Sequence, residues 1–181
     1  MRFALYDRRA AVLYAHRWAY GRNPAFYDYK NPGGDCTNFA SQCIYAGSGV
    51  MNFTPTFGWY YIDPDQKAPA WTGVPYLYNF LTRPERSTGP AGQPCELADL
   101  RPGDLIQLSF DGETFRHSPV VVSVGNPVTP ENVLIAAHSY DADDRPLSTY
   151  DYREIRFLKI FGVWRPGNPL QWARYSNDAE K

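Results

Sequence analysis

Apolar spacing changes character midway along this chain, and that change limits what the chain can fold into. Residues 6–20 repeat at helical intervals, with Tyr14 and Trp18 four apart on a face shared with Ala11. Asp7 can cap the start of this helix and Gly21 can stop it. A second helix is expected at or just before Cys36, because Phe39, Cys43 and Ala46 recur at helical spacing before Gly47 closes the segment. Residues 75–82 suggest a third, short helix. From residue 104 onward the pattern becomes short β-branched and aromatic runs between turn signals, at 104–110, 117–124, 133–138 and 156–163. Asp111-Gly112 is a hairpin-type turn. Helices first and antiparallel strands after predict an α+β fold, with N-terminal helices packed on a C-terminal sheet.

The segments between are punctuated by Asn23-Pro24, Asn31-Pro32-Gly33-Gly34, Gly89-Pro90 and Pro102-Gly103, so 22–34 and 83–103 read as loops and turns. Residues 48–74 lack a period but are rich in Trp and Tyr. They read as a long ordered surface loop, a wall or lid for substrate, and too aromatic for disorder. The length of 181 residues predicts one domain over 1–181.

Composition removes several function classes. A net charge of -1 and a pI near 6.3 give no basic field for phosphate, which argues against nucleic acid as partner. No apolar stretch approaches the ~18 residues that insert into a bilayer. Charges interrupt residues 1–9, so the start does not read as a signal peptide. The expectation is a cytoplasmic protein or a domain fragment of an exported cell-wall protein. Three cysteines, Cys36, Cys43 and Cys95, do not read as a disulfide framework. No paired Cys-x-x-Cys or His-x-x-x-His spacing suggests zinc, so neither metal nor other cofactor is expected. Fourteen Tyr and five Trp suit the walls of a groove for a polar polymer, and equally an aromatic core.

Cys36 is the residue most suited to chemistry. It follows Gly33-Gly34 and opens a helix, whose N-terminus favours thiolate over thiol. Its own N–H would point at a bound carbonyl oxygen, as half of an oxyanion hole. A thiol nucleophile benefits from a base, and the base from an orienting group. His117 begins one expected strand and His138 ends the next, so antiparallel pairing would set both at one sheet edge. Asp141, three residues after His138, is the second choice as orienter. Cys43 reads as a small core residue, Cys95 as incidental, Asp104 as a turn cap and His16 as solvent-facing.

Gly33-Gly34-Asp35-Cys36-Thr37-Asn38-Phe39-Ala40-Ser41-Gln42 resembles the signature of the bacterial Putative amidase domain family. Tyr6-Asp7-Arg8, Gly58-Trp59-Tyr60, Ala70-Trp71, Gly103-Asp104-Leu105, His117-Ser118, Ala137-His138-Ser139 and Arg145-Pro146-Leu147-Ser148 extend the resemblance over about residues 5–165. That family is similar in turn to the papain-like NlpC-type and CHAP cysteine peptidases. The resemblance implies Cys36 as nucleophile, His117 as base and His138 as orienter. It also implies a tyrosine near the oxyanion, a part that Tyr27 or Tyr29 could play. The implied reaction is hydrolysis of a peptide-like amide through a thioester acyl-enzyme, with peptidoglycan stem peptides as the natural substrate class. An acyltransferase on the same scaffold and a catalytically silent cell-wall binding module are the alternatives. The sequence leaves the oligomeric state open.

Overall fold

A computed structural model describes residues 1–167, which form four α-helices and eight β-strands. Helix α1 (Arg8–Trp18) starts where the sequence suggests: the Asp7 carboxylate accepts the Ala10 N–H at 2.9 Å. Its small residues Ala11 and Ala15 are buried. Helix α2 (Cys36–Ser48) is buried nearly all round, although Thr37, Asn38, Ser41, Gln42 and Ser48 are polar. It ends at Gly49, with φ 64°, not at Gly47. Gly47 lies inside the helix for a steric reason. A Cβ there would sit 2.3 Å from the Tyr6 ring and 2.7 Å from the Asp7 carbonyl oxygen. The missing side chain lets the Asp7 N–H donate to the Gly47 carbonyl at 2.9 Å, which seats the entry of α1 on α2.

The aromatic stretch 48–74 is in part a surface loop, with 53–57 exposed, but it sends Trp59, Tyr61 and Trp71 into the core. It contains the short helix α3 (Pro69–Thr72) and leads into α4 (Val74–Leu81). Trp59 and Trp71 are fully buried against α2. The Trp71 indole donates to Asn38 Oδ1 at 2.8 Å and the Trp59 indole to Ser41 Oγ at 3.0 Å. Large rings with one polar handle thus take up the polar residues of α2 that would otherwise be buried unpaired.

The strands are β1 (Arg2–Ala4), β2 (Gly89–Cys95), β3 (Leu105–Ser109), β4 (Phe115–His117), β5 (Val120–Ser123), β6 (Leu134–Ala137), β7 (Ala142–Pro146) and β8 (Glu154–Arg165). They form one curled antiparallel sheet in the order β1-β8-β3-β5-β6-β7, with β2 added to β8 and β4 to β3. The strand expected over 117–124 is two, because Pro119 has no N–H for a ladder and breaks it. β2, expected as turns, pairs with β8 along its length despite two prolines.

Alternate residues of the sheet serve two cores. Leu105, Val120, Val122, Ala136, Leu158 and Ile160 face the helices, while Ile106, Leu108, Val121, Val133 and Ile135 pack with Leu147 on the other side. Burial on both faces explains runs such as Val120-Val121-Val122, which do not alternate. Asp104 ties the layers together from a fully buried position. It accepts from Arg8 Nη1, the Arg101 N–H and the Ile160 N–H, each at 2.8 Å. It therefore caps its turn as expected and also fixes α1 to β8. Burial pushes its carboxyl above the usual range, against the pull of Arg8. No helix among the described residues is long and apolar enough to cross a membrane.

Candidate active site

Cys36 is the first residue of α2, and the turn that delivers it uses two glycines. Gly33 and Gly34 have φ of 140° and 101°, values that residues with a side chain rarely adopt. The Cys36 Sγ lies 3.7 Å from the Thr37 hydroxyl and 3.7 Å from the Arg116 carbonyl oxygen. The N–H groups of Ser118 and Thr37 also face it. The Arg116 carbonyl and the Ser118 N–H flank His117 and project from the same edge of the chain. The sulfur therefore sits beside the backbone of His117. Burial lifts the thiol pKa above its ordinary value, and the Thr37 hydroxyl with the two N–H groups only partly offsets this.

His117 is the last residue of β4 and stands opposite Leu108 on β3. Its Nε2 is 3.5 Å from the Tyr150 hydroxyl, at the long limit of a hydrogen bond. Phe110 packs 6.3 Å away between ring centroids. Burial, and then the positive charge of Arg145, press the imidazole pKa down from 6.5 to about 4. At neutral pH the ring is an uncharged base. Tyr150 was not legible in the sequence. It lies just after a short 3₁₀ turn at Leu147–Thr149, and only that turn aims it at His117.

His138 occupies a different place. Val120 pairs with Ala136, so residue 138 stands opposite residue 118, one step out of phase with His117. Because side chains alternate, one step is enough to put the two imidazoles on opposite faces. His138 stacks on Phe39 of α2 at 4.0 Å between centroids. Its Nδ1–H donates to Asp35 Oδ2 at 2.5 Å, and its Nε2 lies 2.8 Å from the Trp18 carbonyl oxygen.

Asp35, immediately before the nucleophile, is fully buried and well supplied with donors. Oδ1 accepts the Tyr29 N–H at 2.9 Å and the Asn38 amide at 2.8 Å, while the Asp35 N–H donates to Ser139 Oγ at 2.6 Å. Asp141 pairs with Arg22, at 2.9 and 3.2 Å, and not with either buried histidine. Tyr27 is half exposed, and its N–H donates to the Tyr61 hydroxyl at 2.9 Å. The Tyr29 ring packs against Tyr27, with its hydroxyl buried and without a hydrogen-bond partner among the described residues. Cys43 is buried in the core cluster, and Cys95 is partly buried. His16 is on the surface, 2.8 Å from Asp143. With Asp143 and Asp144 it makes the one group of metal-type side chains found among the described residues, and that group includes neither Cys36 nor His117.

Residues 5–161 match the family model described as Putative amidase domain. The chain belongs to this family. It is also 34% identical over 149 residues to the Uncharacterized protein YhbB of Bacillus subtilis (strain 168), a match covering 81% of this chain and 45% of that protein. The chain thus spans about half the length of the curated relative it matches. No solved structure matches it. Family membership points to a hydrolase acting on amides.

Proposed function

We propose that this amidase domain cleaves its substrate through Cys36, by a papain-like thioester route. The observation that carries the reading is the placement of the Cys36 sulfur at the start of α2, directly against the strand edge that bears His117. His117 takes the thiol proton, and the Tyr150 hydroxyl, 3.5 Å from its Nε2, helps to orient the ring. The sulfur attacks the amide carbonyl, and the Cys36 N–H at the helix start stabilises the oxyanion. The imidazolium then protonates the leaving amine, and water releases the acid from the thioester. Peptidoglycan stem peptides are the proposed substrate class, by analogy with NlpC-type and CHAP peptidases.

The test is incubation with purified muropeptides and with simple dipeptide amides, followed by mass spectrometry. Shortened stem peptides, together with an acylated Cys36 peptide after acid quench, are expected. Cleavage of no amide in either set would remove the hydrolase reading. Diversion of the acyl group to an added amine would favour the acyltransferase.

The pKa of His117 sets two pH dependences. The acid limb of kcat/KM is expected near pH 4, not near 6.5, because protonation removes the base only there. Stability moves over the same window. The unfolded chain takes up a proton at about pH 6.5 that the folded chain refuses until about 4, so folding weakens as pH falls between them. The loss approaches about 3 kcal/mol below pH 4. Chemical denaturation from pH 7 to 4, with His117→Phe as reference, reads this directly. Equal slopes in the two proteins would show that His117 titrates normally. Tyr150→Phe is expected to lower kcat about tenfold without changing the fold, since an orienting bond contributes a modest share of the barrier.

A further inference from the structure

Arg145 is a cation beside Tyr150 that has no carboxylate partner among the described residues. It lies at the end of β7, half-buried, with its guanidinium 3.8 Å above the Tyr150 ring centroid. Nε donates to the Thr149 hydroxyl at 2.7 Å and Nη2 to the Thr149 carbonyl at 3.0 Å. These two bonds and the stacking fix the plane of the fork. The guanidinium also engages the Tyr150 hydroxyl, and no described carboxylate pairs with it, which leaves part of its five N–H donors free. The guanidinium lies over the Tyr150 ring, whose hydroxyl is 3.5 Å from His117 Nε2, so it stands one ring away from His117. A half-buried cation costs desolvation and here also works against protonation of the catalytic base. An oriented fork with a spare donor suits a planar anion brought by the substrate.

We propose that Arg145 binds a carboxylate of the substrate, so that this site selects amides that carry an acidic group near the scissile bond. The inference rests on Cys36 being the nucleophile, and it adds the charge of the substrate to that reading. Arg145 is a specificity-determining residue, distinct from the groups that perform the chemistry. Arg116 is less suited to the part, being largely exposed and already 3.5 Å from Asp111.

The experiment uses two matched alkylating agents, N-bromoacetylglycine and N-bromoacetylglycinamide, which differ only in a carboxylate against a neutral amide. In each the Cys36 sulfur forms a C–S bond as the C–Br bond breaks, bromide leaves, and the thiol proton passes to His117. The ratio of the two rates at Cys36, read by mass spectrometry and normalised to Cys95 in the same molecule, isolates recognition of the carboxylate. Any change in His117 basicity affects both reagents alike and cancels. The expected ratio favours the carboxylate about tenfold in the native chain. It should fall to about one in Arg145→Gln, survive in part in Arg145→Lys and be unchanged in Arg116→Gln. A ratio near one in the native chain, or a preference that persists in Arg145→Gln, overturns the inference while leaving the nucleophile in place. Failure of Cys36 to react with either reagent overturns both readings together. Arg145→Lys, which keeps the charge and the stacking stem, guards against a result that merely reports a damaged fold.

Discussion

Cys36→Ala is expected to reduce amide cleavage by about 10⁴-fold or more while leaving the protein folded. The change removes one atom from a site that is 6% exposed, and it keeps the helix start, the glycine turn and the Asp35 network. Thermal melting should therefore move by only a few degrees. Cys36→Ser is the sharper control, because a hydroxyl fits the same space but is far less acidic than a thiol and needs a stronger base. It should be nearly as inactive. His117→Ala retains the sulfur but not the proton acceptor, and a loss of about 10³-fold is expected, with slower alkylation of Cys36 above pH 4. Hydrolysis that survives in Cys36→Ala would move the chemistry to another residue altogether.

Asp35→Ala should give the largest loss of stability from a single side chain. The carboxylate is buried and accepts three donors, from His138, Tyr29 and Asn38. Removing it leaves all three without their acceptor in a dry environment. Breaking a buried pair in this way costs about 3–5 kcal/mol, against about 1 kcal/mol for an ordinary hydrogen bond. In a domain of this size the melting temperature should fall by roughly 10 °C, measurable by calorimetry. Activity should fall as well, since Asp35 is the residue that delivers Cys36 to the helix start. Substituting both partners, Asp35→Ala with His138→Phe, should cost less than the sum of the two single changes, because no unpaired group is then left. A drop of only two or three degrees in Asp35→Ala would mean that water reaches the pair and that the network is weaker than its burial suggests.

These two outcomes also separate what His138 does from what His117 does. As a partner of Asp35, His138 supports the turn that leads into Cys36, and its replacement should lower stability and activity together. A residue that only oriented His117 would change activity alone.

The sequence was most informative where local rules and tertiary packing agree. The Asp7 cap, the cysteine at a helix start after two glycines and the strands of the β-rich half follow from spacing and turn chemistry. The less legible parts were those decided by distant contacts. Gly47 looks like a helix stop until Tyr6 is placed against it. Gly89–Cys95 looks like a run of turns, because only its pairing with β8 makes a strand of a segment with two prolines. Residues 48–74 look like a surface loop because the buried bonds of Trp59 and Trp71 lie across the chain from them. The site divides in the same way. Cys36 and His117 stand out by position, whereas the separation of His117 from His138 depends on a register offset of one residue. Tyr150 and Arg145 carry no local signal, since both are ordinary residues of a polar turn.

The long strand β8 has a consequence for how the molecule comes into being. It is the shared partner of β1, β2 and β3, and it joins Arg2 to Arg165 across nearly the whole described chain. Contacts so far apart in sequence carry a high loop-closure entropy and slow folding toward the millisecond-to-second range. A growing polypeptide made up to residue 153 already holds the cysteine helix and the histidine strand, yet β3 still has one open edge and Asp104 still lacks the Ile160 N–H. On the proposed reading, Cys36 and His117 gain their final support only when this last strand pairs with β3. Alkylation of Cys36 during refolding, compared with hydrogen exchange at β3, should show the two maturing at the same rate.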